Sequence, residues 1–355
     1  MKLLHITAAA ALGLGAAAAS AQSTVTVFGL LDAGITRLKS GGAGSQTLLN
    51  TDANTSSRLG FRGSEDLGGG LKANFWIEAA ISPDTGTGGA SSTNNKDSVN
   101  TGALTFGRRA TVGLQADWGE LRLGRDYVPS FSNLTTAMHP FGTNGVGSSG
   151  ALFYPVSAGG TTVRTNVRAS NAIGYFLPAN AAGVYGALMV ASGEQPSGTA
   201  TSKDGDHQGI RLGWRNERWN VAAATGKTRY ATGDYTQSNV GANLQLGAVK
   251  LMALWGENKV GATRTRAQML GTQWAVSELG ELRLAYSRLQ ARGVASDATH
   301  WAIGYVHELS RRTGVYATAA RITNKGSGNR FNVGLAATTP GGSGSGVDIG
   351  LRHSF

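Results

Sequence analysis

The last nine residues of the chain alternate without a break. Val347, Ile349, Leu351, His353 and Phe355 fall on one face, and Asp348, Gly350, Arg352 and Ser354 fall on the other. Side chains along a strand repeat every second residue, so this segment reads as a strand with one greasy face and one wet face. The pattern recurs elsewhere. Val25, Val27, Leu31, Ala33 and Ile35 alternate with Thr24, Thr26, Asp32 and Thr36. Leu282, Leu284 and Tyr286 alternate with Glu281, Arg283, Ala285 and Ser287.

Sixteen strands of this kind can be marked, from Thr24–Arg37 to Val347–Phe355, with Ser56–Asp66, Gly70–Ile81, Leu104–Asp117, Gly119–Arg125 and Asn166–Leu177 among them. Their connections alternate in length. Leu67-Gly68-Gly69, Gly247-Ala248 and Leu309-Ser310-Arg311 belong to a tight set. Lys39–Thr55, Ser82–Ala103, Tyr127–Thr165, Gly193–His207 and Asn324–Gly346 are long, polar and rich in Gly, Ser, Asn and Thr. A soluble sandwich gives no reason for such alternation, whereas a transmembrane barrel has short turns on one side and long loops on the other.

The start of the chain fits export. Met1–Ala21 reads as a removable signal: Lys2, an Ala-rich apolar run, then Ala19-Ser20-Ala21 before the cut. Residues 22–355 then form a single barrel domain. The apolar run is shorter than the roughly 20 residues of a spanning helix, and no later window approaches that length. A closed barrel is the other way to pair every backbone group in lipid. With 53 Gly, 7 Pro and no Cys, the chain has no disulfide framework and no thiolate chemistry. The formal charge of +11 points to an anionic partner. The basic residues are spread singly along strands, which argues against nucleic acid.

A family resemblance now stands out. Phe28-Gly29-Leu30-Leu31-Asp32-Ala33-Gly34, the block Ser57-Arg58-Leu59-Gly60-Phe61-Arg62-Gly63-Ser64-Glu65-Asp66-Leu67-Gly68-Gly69-Gly70-Leu71, Phe106-Gly107-Arg108-Arg109, Leu123-Gly124-Arg125 and Gly350-Leu351-Arg352-His353 with Phe355 resemble the general diffusion porins of β-proteobacteria. The resemblance implies an all-β, sixteen-stranded antiparallel barrel in the Gram-negative outer membrane, a homotrimer, and a third outer loop folded into the lumen. It also implies that Phe355 is the signal read by the barrel-assembly machinery, and that lipopolysaccharide and other outer-membrane lipids are neighbours.

A channel selects by width and by charge at its narrowest point. Strand parity puts Arg58, Arg62, Lys72, Arg109 and Arg122 on the lumenal face. Arg108 and Arg125 fall on the lipid face by the same count. Arg125 stays a candidate because a bulge can turn it inward. Tyr127 through Asn166 holds no Asp or Glu and offers only Arg164 and His139 as titratable cations. The expectation is a constriction of unopposed positive charge that passes small anions. The alternative is a substrate-specific channel for sugars or organic acids, with a saturable site. No nucleophile elbow, metal spacing or cofactor motif emerges, so no enzyme, metal or cofactor is expected. A barrel lipase would need a Ser/His pair on one face, an adhesin would need a passenger domain, and a soluble all-β protein would extract without detergent.

Overall fold

The computed structural model describes residues 24–355 apart from 98–102, 136, 156, 159–160, 181, 293–296, 327 and 329–330. The signal segment expected at 1–21 lies outside the described residues. Among them, sixteen antiparallel strands close into one barrel. They are β1 (Thr24–Ser40), β2 (Gly44–Thr51 and Arg58–Gly68), β3 (Leu71–Ser82), β4 (Arg109–Ala116), β5 (Gly119–Tyr127), β6 (Arg168–Phe176), β7 (Val184–Ala191) and β8 (His207–Arg215). The second half comprises β9 (Trp219–Thr228), β10 (Tyr235–Leu246), β11 (Val249–Val260), β12 (Thr263–Ala275), β13 (Gly280–Arg292), β14 (Asp297–Glu308), β15 (Thr313–Lys325) and β16 (Gly344–Ser354). Each strand pairs with its sequence neighbours. Closure comes from β1 against β16, with Leu30 opposite Ser354 and Ser40 opposite Gly344.

The alternation in the sequence is what makes the two faces. Ile35, Leu270 and Ile349 are each at least 60% exposed, while Asp32, Thr36 and Asp348 on the opposite face are buried. The exposed apolar band is the lipid side. Trp118, Trp219, Trp274, Tyr305 and Phe355 are exposed near strand ends, where an interfacial girdle sits.

Two boundaries differ from the sequence reading. Lys39–Thr55 is no long loop: β1 runs on to Ser40, and Gly44–Thr51 returns against it, with Arg37 opposite Thr47. Residues 52–57 interrupt β2 because their backbone is taken by Asp32. The Asn54 and Thr55 amides donate to its Oδ2 at 2.9 and 2.6 Å. The strand expected at Leu104–Asp117 is shorter, Arg109–Ala116.

The inner face is not lined by strand residues alone. The described residues of 128–167, with two short helices α1 (Pro129–Ser132) and α2 (Gly150–Phe153), lie along the inner wall. Phe131, Met138, Phe141, Val146 and Phe153 share a buried cluster with the inward Met252, Met269, Leu289 and Ala302. Small inward residues make room. A Cβ on Gly271 would come within 2.5 Å of Pro140, and one on Gly304 within 2.7 Å of Phe141. Burying such side chains is worth roughly 1.5–3 kcal/mol each. The loop therefore has an apolar core of its own, and its backbone carbonyls accept from wall side chains. Asn239 donates to the Ser130 carbonyl, Asn243 to Ala137 and Gln273 to Pro140.

Candidate functional site

The loop does not cover the wall evenly. From Val128 its contacts pass along β7 to β12, through Asn133 with Ala222 and Pro140 with Gln273, and reach β14 and β16 through Val146. Asn144 then meets Ser56 at the break in β2, and α2 turns back to β11, where Asn258 donates to the Phe153 carbonyl. The inner surface of β2 to β5 stays open to the lumen. A recess of about 310 Å³ lies there, lined by Thr24, Arg62, Trp76, Arg109, Glu120 and Arg122 among others.

Cross-strand register stacks this wall in rows. Glu78 pairs with Arg109, Trp76 with Arg62 and Thr111, Asn74 with Ser64 and Gly113, and Lys72 with Asp66 and Gln115. Lys72 thus sits by the tight turn, at the opposite end of the barrel from Arg58. The Trp76 ring lies between two guanidinium groups, 5.2 Å from that of Arg62 and 4.6 Å from that of Arg109. Cation–π contacts of this kind are worth about 0.5–2 kcal/mol. They fix a cation in place without cancelling its charge. Phe28 supports Arg62 from another side at 5.3 Å.

The wall's positive charge is not unopposed, which corrects the sequence expectation. Arg122 is held 2.7 Å from Glu120 and 3.0 Å from Asp126. Arg109 lies 3.7 Å from Asp126, and Arg108 is 2.5 Å from Glu78. The loop has no acid, but its neighbours on the strands do. Even so, five guanidinium groups (Arg58, Arg62, Arg108, Arg109 and Arg122), with Arg168 beside them at the start of β6, share this sector with Glu78, Glu120 and Asp126 and with Asp52, whose charge acts on Arg108. Among the described residues, Arg58, Arg62 and Arg168 enter no ion pair with a carboxylate. Arg58 donates to the Ser56 carbonyl at 3.3 Å. Arg168 and Arg108 both donate to the Tyr127 hydroxyl, at 3.0 and 3.1 Å.

Arg108 was assigned to lipid by parity and is corrected here. It precedes the first paired residue of β4, so its direction is free of the pleat, and it turns onto Glu78. Arg168 is not among the residues the sequence singles out; it lies before a register shift between Ala169 and Ala172. Two residues are not brought into the group. Arg125 is anchored by the Gly107 carbonyl at 2.6 Å and the Ser170 hydroxyl at 2.9 Å. Arg164 has its amide on the Tyr230 hydroxyl at 3.4 Å, beside the separate cluster of Val163, Tyr230, Tyr235 and Val260.

The carboxylates at the β1–β16 seam are spoken for. Asp348 accepts from Thr36 at 2.6 Å and from the Val146 amide at 2.8 Å, and Asp32 accepts from Tyr316 at 2.5 Å. Both are fully buried. Among the described residues, no three His, Cys, Asp or Glu side chains are grouped as a metal site would require.

A closed barrel with a lipid-facing apolar band and an open, charged lumenal sector defines a transmembrane channel. Comparison with known proteins gives its family. Residues 8–327 match the model of the Gram-negative porin family, and the chain belongs to that family. It is 34% identical over 352 residues to outer membrane porin protein 32 of Delftia acidovorans, covering 94% of this chain and 95% of that one. Its structure is similar to the anion-selective porin from Comamonas acidovorans, with a TM-score of 0.80 and 32% identity over 94% of this chain and all of that one. OmpT of Vibrio cholerae, in its trimer form, shares the fold at a TM-score of 0.63 and 15% identity, over 94% of this chain and 99% of that one. The protein is an outer-membrane porin.

Proposed function

We propose that this porin passes small anions in preference to cations, and that Arg58, Arg62, Arg109 and Arg122 set the preference. The observation that carries the reading is the excess of guanidinium groups over carboxylates on the wall of β2 to β5, where the described loop residues leave an open recess. Charges in a low-dielectric wall focus their field into the lumen. At physiological salt that field reaches about 8 Å. Rings of Arg or Lys favour anions. The acid-free loop adds nothing to oppose them. The similar porin from Comamonas acidovorans is anion-selective, which supports the reading. Lys72 adds positive charge at the inner mouth. Arg125 serves as an anchor. A homotrimer is proposed by analogy with the trimer form of the related fold. Phe355, whose amide donates to the Gly29 carbonyl at 3.1 Å, is proposed as the assembly signal.

Reconstituted vesicles test this. Swelling in isosmotic solutes of matched size should be fastest for a monoanion, slower for a neutral solute and slowest for a cation. Equal rates would contradict the proposal. Saturation of the rate at millimolar solute would favour the substrate-specific alternative.

A further inference from the structure

Strand β6 carries one residue too many. Ala172 stands opposite Gly124 and Ala169 opposite Asp126, so Ser170 and Asn171 share the space across from Arg125. Two residues facing one is a β-bulge, a device that re-aims side chains. Here the extra residue puts Arg168 opposite Tyr127, where an unbroken ladder would put Ala169. Arg168 donates to the Tyr127 hydroxyl at 3.0 Å and lies 4.6 Å from the centre of its ring. Among the described residues Arg168 enters no ion pair, so its place depends on Tyr127 and on this register.

A bulge leaves backbone groups without ladder partners, and such groups need others. Those of Ser170 are met by Asn95, from the loop between β3 and β4. The Ser170 amide donates to Asn95 Oδ1 at 2.7 Å, and Asn95 Nδ2 donates to the Ser170 carbonyl at 3.1 Å. The same Nδ2 lies 3.3 Å from the Ser192 carbonyl and 3.2 Å from that of Gly205, both between β7 and β8. The Tyr230 hydroxyl, between β9 and β10, donates to the Asn95 carbonyl at 3.1 Å. Two neighbours of Asn95 also hold the bulge. The Ser170 hydroxyl donates to the Ser92 carbonyl, and Asn171 Nδ2 to the Thr93 carbonyl at 2.9 Å. Asn95 is 1% exposed and has a φ of 59°. A buried amide in the left-handed region persists only where its surroundings fix it. Here they join one outer loop to the bulge and to two other outer connections.

We propose that Asn95 is a positioning residue for the pore's charge. By filling the bulge it holds Arg168 on Tyr127, so the loop between β3 and β4 acts on ion selection through β6. The inference rests on the reading that the guanidinium groups of this sector select anions, and it adds Arg168 to them.

Glycine is at ease in the left-handed region, so N95G removes the side chain without backbone strain. The test takes zero-current potentials of the full-length porin in planar bilayers across one KCl gradient. N95G should lower the chloride-to-potassium permeability ratio about twofold or more, and R168Q at least as far. The N95G/R168Q double variant should match R168Q alone, because a residue acting through another is not additive with it. An unchanged ratio in N95G would overturn the proposal. Full additivity in the double variant would also overturn it, leaving Asn95 a fastener of the loop and nothing more. Each reading is a shift from wild type. A wild-type potential set by potassium would therefore sink the anion reading, while the shifts still decide the role of Asn95. Stable single-channel steps verify that each variant is a folded barrel. Should N95G fail to fold, N171G decides alone, since Asn171 also sits in the left-handed region, at a φ of 55°. A fall in the ratio that R168Q abolishes supports the proposal, and an unchanged ratio overturns it.

Discussion

The backbone amide of Val146 donates to the Asp348 carboxylate at 2.8 Å, and the Val146 carbonyl meets His300 Nε2 at 3.0 Å. One residue of the inner loop is therefore pinned by both its backbone groups to two strands. A hydrogen bond to a charged group is worth about 1.5–3 kcal/mol, and a buried group left unpaired costs more. Asp348→Ala should destabilise the folded barrel by about 2 kcal/mol and free the loop. Thermal unfolding in detergent reads the first effect. Open-channel noise in a bilayer, expected to rise, reads the second.

His139 makes the loop's packing sensitive to acid. Its Nδ1 accepts from the Phe141 amide at 3.1 Å, so Nε2 carries the proton and donates to Ser149 at 2.6 Å. Burial first, then the nearby His300, pushes its pKa down to about 3. The unfolded chain, with an ordinary value of about 6.5, takes up a proton that the folded loop refuses. Stability thus rises with pH between about 3 and 6.5 and is flat above that window. H139Q should show a shallower fall in unfolding midpoint from pH 7 to pH 4 than wild type. Equal slopes would count against this reading.

Gly271 and Gly304 are where the wall gives way to the loop. Overpacking typically costs 1–3 kcal/mol. Gly271→Leu should push Pro140 off the wall, lowering stability by about that amount and narrowing the open sector. Single-channel conductance should fall, while a leucine at Gly68, in the exposed turn, should leave it unchanged.

The wall account predicts opposite signs for two neutralisations. Arg62→Gln removes a cation that no carboxylate offsets and should weaken anion preference. Asp126→Asn removes the acid shared by Arg109 and Arg122 and should strengthen it. Reversal potentials of the two variants, taken in the same salt gradient, should move in opposite directions. Movement in the same direction would show that the wall does not control selection.

Much of this was legible in sequence because a lipid-facing strand must repeat every second residue, and Val347 to Phe355 or Leu282 to Tyr286 obey that rule visibly. Parity alone placed Arg62 and Arg109 on one face, where they meet across Trp76. It failed where the pleat fails. Arg108 lies one residue outside its strand. Parity also puts Glu78 in the lumen, but its pairing with Arg108 and those of Glu120 and Asp126 with Arg122 depend on cross-strand register, and the acid-free loop drew attention away from them. The loop's course along β7 to β16 was equally invisible. It depends on small inward residues such as Gly271 and Ala302, which read as nothing in particular until Pro140 and Phe141 are placed against the wall.

The most direct test of anion selection is the zero-current potential of the purified porin in a planar bilayer across a tenfold KCl gradient. The account predicts a sign set by chloride, reduced in Arg62→Gln. A potential set by potassium would contradict it.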